Sequence, residues 1–124
     1  MENERLIANL RSDISVLQNN MQANQEKLQR LRQARDYITN EHGDLSAHKK
    51  LISDPELSPS TWAGKHATEF LNVRTNIEQS YMAIITQQVE DILSEIEGKI
   101  AQLESANSGY SNSITSKNYR ISQF

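Results

Sequence analysis

An all-α fold, a long antiparallel helical hairpin packed like a coiled coil, is what this 124-residue sequence predicts. Three observations carry the prediction. Apolar residues in the first half recur at alternating steps of four and three, the spacing of helices packed along a seam. The only two prolines, Pro55 and Pro59, fall together near the middle of the chain. Apolar residues make up 36% and aromatics 6%, against the usual ~45–50% apolar share, too little for a compact two-layer core but enough for a narrow seam. Helices are expected at about 3–52 and 60–108, joined by a loop at 53–59. A Ser/Asn-rich, weakly helical tail follows at 105–124, and residues 1–124 form a single domain.

The first helix is the more regular. Ile7, Leu10, Ile14, Leu17, Met21, Asn24, Leu28, Leu31, Arg35, Ile38, His42 and Leu45 hold the heptad seam positions. Nine of the twelve are apolar, and no proline interrupts residues 1 to 54. Gly43 is a soft point, costing about 1 kcal/mol relative to alanine. Leu45, Leu51 and Ile52 resume the stripe beyond it, so the helix is expected to continue, with a bend at most. It stops at "SDPELSPS", residues 53–60, which cannot continue a helix.

Ser58 or Ser60 is a suitable N-cap for the second helix, and Pro59 suits a first helical position after Ser58. Its stripe runs Phe70, Val73, Ile77, Tyr81, Ile84 or Ile85, Val89, Leu93, Ile96, Ile100 and Leu103. The steps of four through Ile77, Tyr81 and Ile85 break the heptads like a stutter, which unwinds a supercoil locally. Gly98 is expected to permit a close contact. In "SANSGYSNSITSKNYRISQF" Ser and Asn disfavour a helix interior. Asn107, Tyr110, Ile114, Lys117, Ile121 and Phe124 nevertheless keep a heptad register, so this tail is expected to order only against a partner.

A bend centred near residue 56 makes definite pairings. Asn24 would face Gln88, Arg35 would come near Ile77 and Glu78, and His48 would approach His66. Each helix would be about 75 Å long at about 1.5 Å per residue. Leu6, Tyr37, Ile85 and Ile92 lie just off the seam, and a face that wide calls for another helix.

Composition narrows the function classes. Without cysteine there is no disulfide, thiol nucleophile or thiolate metal site. A net charge of −3 with interspersed signs argues against a dedicated nucleic-acid binder. The start, "MENERLIANLRSD", lacks the apolar core of a signal peptide, and no run reaches the ~18 apolar residues of a membrane span. The expectation is a chain made in the cytoplasm, with no direct membrane insertion. His42, His48 and His66 have no supporting carboxylates and read as surface or capping residues rather than a metal site. Lys27, Arg30, Arg32 and Arg35 are flanked by Glu26 and Asp36 without aromatic interleaving, so they read as a solvated face. Glu90, Asp91, Glu95 and Glu97 have no pocket to shift a pKa, which argues against acid–base catalysis. No catalytic, cofactor-binding or metal residue is expected.

One motif remains. In "LSPSTWAGKHATEF", residues 57–70, the lone tryptophan, Trp62, stands two before Gly64 and eight before Phe70. By geometry alone, an indole near a helix start closes the end of a hairpin, and glycine lets another backbone approach. A central W-x-G between two helices resembles the WXG-type proteins of bacterial type VII secretion. "KKLISDPELSPSTWAGKHATEF", with "IEQSY" and "VEDILSEIEGKIAQLE", is more similar to the YwqH-like family, small helical proteins associated with LXG-type toxins.

The resemblance implies a non-enzymatic adaptor, targeting factor or chaperone. Its partner would be the helical N-terminal region of an LXG-type toxin, with a second small helical protein or a homodimer as further partners. Trp62 and Gly64 match the motif, and Phe70 the aromatic that follows it. Adding apolar positions of the second helix, the expected partner-binding residues are Trp62, Gly64, Phe70, Ile77, Tyr81, Ile92, Ile96 and Leu103. The export signal Y-x-x-x-D/E is not matched after the second helix, where Tyr110 precedes Ile114 and Tyr81 precedes Ile85. Tyr37 precedes Glu41, but on the first helix. The expectation is therefore either that a partner supplies the signal and the chain leaves with it by a leaderless route, or that the chain remains an adaptor inside the cell. The alternatives are a secreted WXG-like dimeric effector, a self-assembling structural coiled coil and, more remotely, a phosphate-binding module.

Overall fold

The structure, a computed structural model, describes residues 2–53 and 64–124. Helix α1 is Glu2–Ala47, and a 3-10 helix, His48–Ser53, follows it. After residues 54–63, α2 spans Lys65–Ala83, a π-turn Ile84–Gln88 and α3 Val89–Ser122. No strand occurs among the described residues. The expected hairpin of two long helices packing against each other is the observed fold. The 53–59 loop beyond Ser53, the proposed caps Ser58 and Ser60, and Trp62 lie outside the described residues.

In α1 the heptad reading holds residue by residue. All twelve seam positions from Ile7 to Leu45 are buried or half-buried, and every other residue of α1 is exposed where burial is described. Glu2 and Glu4 in the first turn complement the positive end of the helix dipole. Gly43 does not end the helix, which tightens into 3-10 geometry at His48.

The chain packs as two compact units. The first joins Met1–Ala34 to Ile96–Phe124. Leu28, Ile100 and Leu103 form its buried cluster, with Leu31 and Ile96 packed against them. Each such side chain contributes about 1.5–3 kcal/mol by leaving water. Asn24 donates its amide to Asn107 Oδ1 at 3.0 Å, and Asn107 donates to the Met21 carbonyl at 3.3 Å. Lys117 and Asp13 pair at 3.6 Å, and Arg32 and Glu104 at 2.6 Å. The latter pair is about half exposed on both sides, and such pairs contribute only about 0–1 kcal/mol. The apolar cluster holds this unit together.

The second unit is Arg35–Glu95. Three side chains here donate to backbone carbonyls where the helices depart from α geometry. Tyr81 donates its hydroxyl to the Leu45 carbonyl, in the last turn of α1, where carbonyls lose their helical partners. Arg74 donates to the Ser53 carbonyl, at the end of the 3-10 helix, at 3.4 Å. His42 Nε2 donates to the Ile85 carbonyl, inside the π-turn, at 2.7 Å. Among the described residues of this unit, Ile85 and Ala67 are the buried apolar ones.

Several expectations are corrected. Asn24 meets Asn107, not Gln88. Arg35 Nε pairs with Asp36 at 3.1 Å, and His42 meets Ile85. The midpoints of the pairs His42–Ile85 and Ser53–Arg74 fall between residues 63 and 64, so the reversal is not centred at 56. The proposed meeting of His48 with His66 rested on the same register; His66 lies 3.8 Å from Glu69 and is exposed.

The tail is also different. It continues α3 without a break to Ser122, with Asn107, Tyr110, Ile114, Lys117 and Ile121 half-buried. Packing on the first arm overrides the weak helix propensity of Ser and Asn. At Gly98, among the described residues, no atom lies within 4 Å of where a Cβ would stand, so no close contact explains it.

Leu103→Ala is expected to cost about 2–5 kcal/mol, the range for truncating a buried leucine. Urea denaturation followed by circular dichroism measures it. A cost under about 1 kcal/mol would mean that the Leu28–Ile100–Leu103 cluster does not hold the unit.

Candidate docking face

The inward positions of α2 follow from the second unit's own burial pattern. Ala67 is buried, and Arg74, Glu78, Tyr81 and Met82 are half-buried. Phe70, Val73 and Ile77, three apolar residues of the stripe read from the sequence, are instead turned outward. The Ile84-or-Ile85 ambiguity resolves in the same sense: Ile85 is 7% exposed and Ile84 41%.

The outward residues make a continuous row. Phe70, Val73, Ile77 and Ile84 recur at steps of three, four and seven, which keeps them on one side of a helix. Val73 and Ile77 are more than half exposed. A shallow groove of about 400 Å³ is lined by Val73, Asn76, Ile77, Ser80, Tyr81 and Ile84. A neighbouring one of about 200 Å³ is lined by Ile52, Phe70, Val73, Arg74 and Ile77. The Arg74 guanidinium stands 5.0 Å from the centre of the Phe70 ring, a cation–π distance. Among the described residues, Arg74 is the one charged residue lining either groove. Such a row flanking a packed seam is a surface for another apolar surface rather than for a charged small molecule.

The expected partner-binding residues divide into three groups. Phe70, Ile77 and Ile92 are exposed. Ile96 and Leu103 belong to the buried cluster, while the half-buried Tyr81 donates its hydroxyl to the Leu45 carbonyl and also lines the larger groove. Gly64 stands just before α2, and Trp62 lies outside the described residues. Val73, Ile84 and Ile52 join the face although they were not among the expected residues. Val73 and Ile84 were in the stripe, and their steps from Ile77 could have found them.

Gly64 is required by its own backbone. Its φ of 104° and ψ of −175° lie in a region that essentially only glycine enters. No described atom lies within 4 Å of its missing Cβ. Conformation is by itself enough to require glycine here. From that geometry its carbonyl accepts the Thr68 amide at 3.2 Å and the Thr68 hydroxyl at 3.3 Å, starting α2 without a side-chain cap.

Among the described residues no group of three histidines or carboxylates could hold a metal, and no helix is long and apolar enough to cross a membrane. The fold and this face define a class: a small all-helical hairpin that presents an apolar row.

Residues 6–124 match the model of the YwqH-like family, and the chain belongs to that family. The match covers both arms and the W-x-G segment between them. No curated protein and no solved structure matches the chain.

Gly64→Ala is expected to cost about 1–3 kcal/mol of stability through backbone strain. Thermal unfolding of the two proteins side by side would reveal the loss, and equal midpoints would show that alanine is accommodated. Ile77→Asp, by contrast, is expected to shift stability by no more than about 0.5 kcal/mol, as at an ordinary surface position. A large loss in urea denaturation would place Ile77 in the packing rather than on a free face.

Proposed function

We propose that this protein is a non-enzymatic adaptor that binds the helical N-terminal region of an LXG-type toxin for type VII secretion. The observation that carries the reading is the outward row Phe70, Val73, Ile77 and Ile84 on α2. Membership of the YwqH-like family supports it, because the sequence resemblance to that family implies such a partner. The chemistry of the face agrees. Side chains that each contribute about 1.5–3 kcal/mol on burial supply the core of a helix-in-groove interface, before the costs of association are subtracted.

In this mechanism an amphipathic helix of the toxin lays its apolar stripe along α2. Asn76 and Ser80 supply polar groups within the groove, and Ile52 closes one side. Gly64, whose carbonyl accepts from Thr68, starts α2, and Trp62 stands two residues before it in the sequence. Ile92, also exposed, extends the apolar surface of the unit. Adaptor and toxin would leave the cytoplasm together by a leaderless route, the export signal coming from the partner. A second small helical protein would complete the assembly.

The test is affinity capture from the native cell followed by mass spectrometry, with wild type and Ile77→Asp as paired baits. The wild type should retain a protein whose N-terminal region is helical and of LXG type, and Ile77→Asp should lose it. Equal capture by both baits removes the row from the interface. Capture of further copies of this chain alone replaces the adaptor reading with self-assembly.

A further inference from the structure

The π-turn at Ile84–Gln88 coincides with a break in the inward pattern of the second unit. Glu78, Tyr81, Ile85, Val89 and Leu93 form the inward line, with Met82 half-buried beside Tyr81, and the line's last three steps are all of four. Heptads alternate four and three, so this stretch carries one residue more than the pattern allows. The sequence reading placed a stutter through Ile77, Tyr81 and Ile85; the irregularity lies one step later and is a single extra residue. A π-turn, with i→i+5 bonding, is the geometry that absorbs one extra residue without rotating the helix face.

Absorbing it has a local cost. The Val89 amide bonds to the Ile84 carbonyl, five residues back. In a regular helix that amide would go to Ile85. The Ile85 carbonyl is thereby deprived of its α-helical donor, and it is the carbonyl to which His42 Nε2 donates at 2.7 Å. His42 holds a seam position of α1, which explains why a polar residue stands in that stripe.

The alternative for the same sequence is a continuous α-helix. Counting back from Leu93 and Val89 in strict heptads would turn Thr86, Gln79 and Thr75, all now exposed, inward in place of Ile85, Glu78 and Arg74, with the already half-buried Met82 taking the line from Tyr81. The face of α2 would rotate by about 100°, one residue's turn. Phe70, Val73, Ile77 and Ile84 would swing away from Ile52.

We infer that His42 is a positioning residue for the docking face: by satisfying the carbonyl that the π-turn frees, it fixes which side of α2 is presented. Its consequence for a partner rests on the adaptor reading above; its consequence for the helix face does not.

The chain has no cysteine, so single introduced cysteines report the face of α2 without background. A maleimide should label Gln79→Cys faster than Glu78→Cys in the otherwise native chain, because Gln79 is exposed and Glu78 half-buried. His42→Leu should abolish or invert that order, and His42→Gln, which keeps an N–H donor, should restore it. Deletion of Gln87 removes the extra residue, so it should restore the native order in the His42→Leu background and leave it unchanged alone.

That rescue separates a role in helix phase from simple packing at His42, and it still applies if His42→Leu unfolds the unit. An unchanged labelling order in His42→Leu, or failure of the deletion to rescue, overturns the inference. In the capture experiment the deletion should likewise return toxin binding to His42→Leu. Restored labelling without restored capture leaves the positioning role standing and counts against the adaptor reading.

Discussion

A helix that buries one narrow stripe has no second layer to fall back on, so the spacing of that stripe governs everything else. Leu28, Ile100 and Leu103 show the economy of the arrangement: three side chains make the buried cluster, and Leu31 and Ile96 thicken it only slightly. Few large apolar groups need to be spent this way, which accords with the low apolar content of the chain. The burden falls on regularity. Every inward residue of α1 lies on the heptad, and residues one step off it are in water.

Where regularity fails, polar groups take over. A 3-10 segment, a helix end and a π-turn each leave a carbonyl short of its α-helical donor, and in the second unit each finds a side chain from the opposite arm. A hydrogen bond of this kind contributes only about 0.5–1.5 kcal/mol net, but leaving a buried carbonyl unmet costs more. Arg74 serves twice, donating to Ser53 and lying over Phe70, so one residue connects the chain's internal repair to its outer surface.

The fold was legible in the sequence because periodicity is a local property. Heptads in α1, the paired prolines and the low apolar content led to a helical hairpin without knowledge of any contact. Register was not legible, since it depends on where the chain turns, and prolines show only where a helix stops. The family resemblance was readable from residues 49–70 and holds across residues 6–124. The outward apolar row was half visible. Phe70 and Ile77 lie in the apolar stripe of the second helix, but hydropathy cannot tell a stripe facing the seam from one beside it. Arg74 and Glu78 were overlooked as inward residues because they are charged. The helical tail was underestimated because Ser and Asn speak about isolated helices, whereas Tyr110 and Ile114 have an arm to pack on.

The paired amides of Asn24 and Asn107 also bear on how the arms find each other. A seam of near-identical leucines and isoleucines would close almost as comfortably one heptad out of alignment. Such a slip would set Asn24 against Ile100 or Ile114, stranding both amides in greasy surroundings at a cost of about 1–3 kcal/mol each. The two asparagines thus proofread closure, lending little strength to the finished molecule while making its nearest mistakes short-lived.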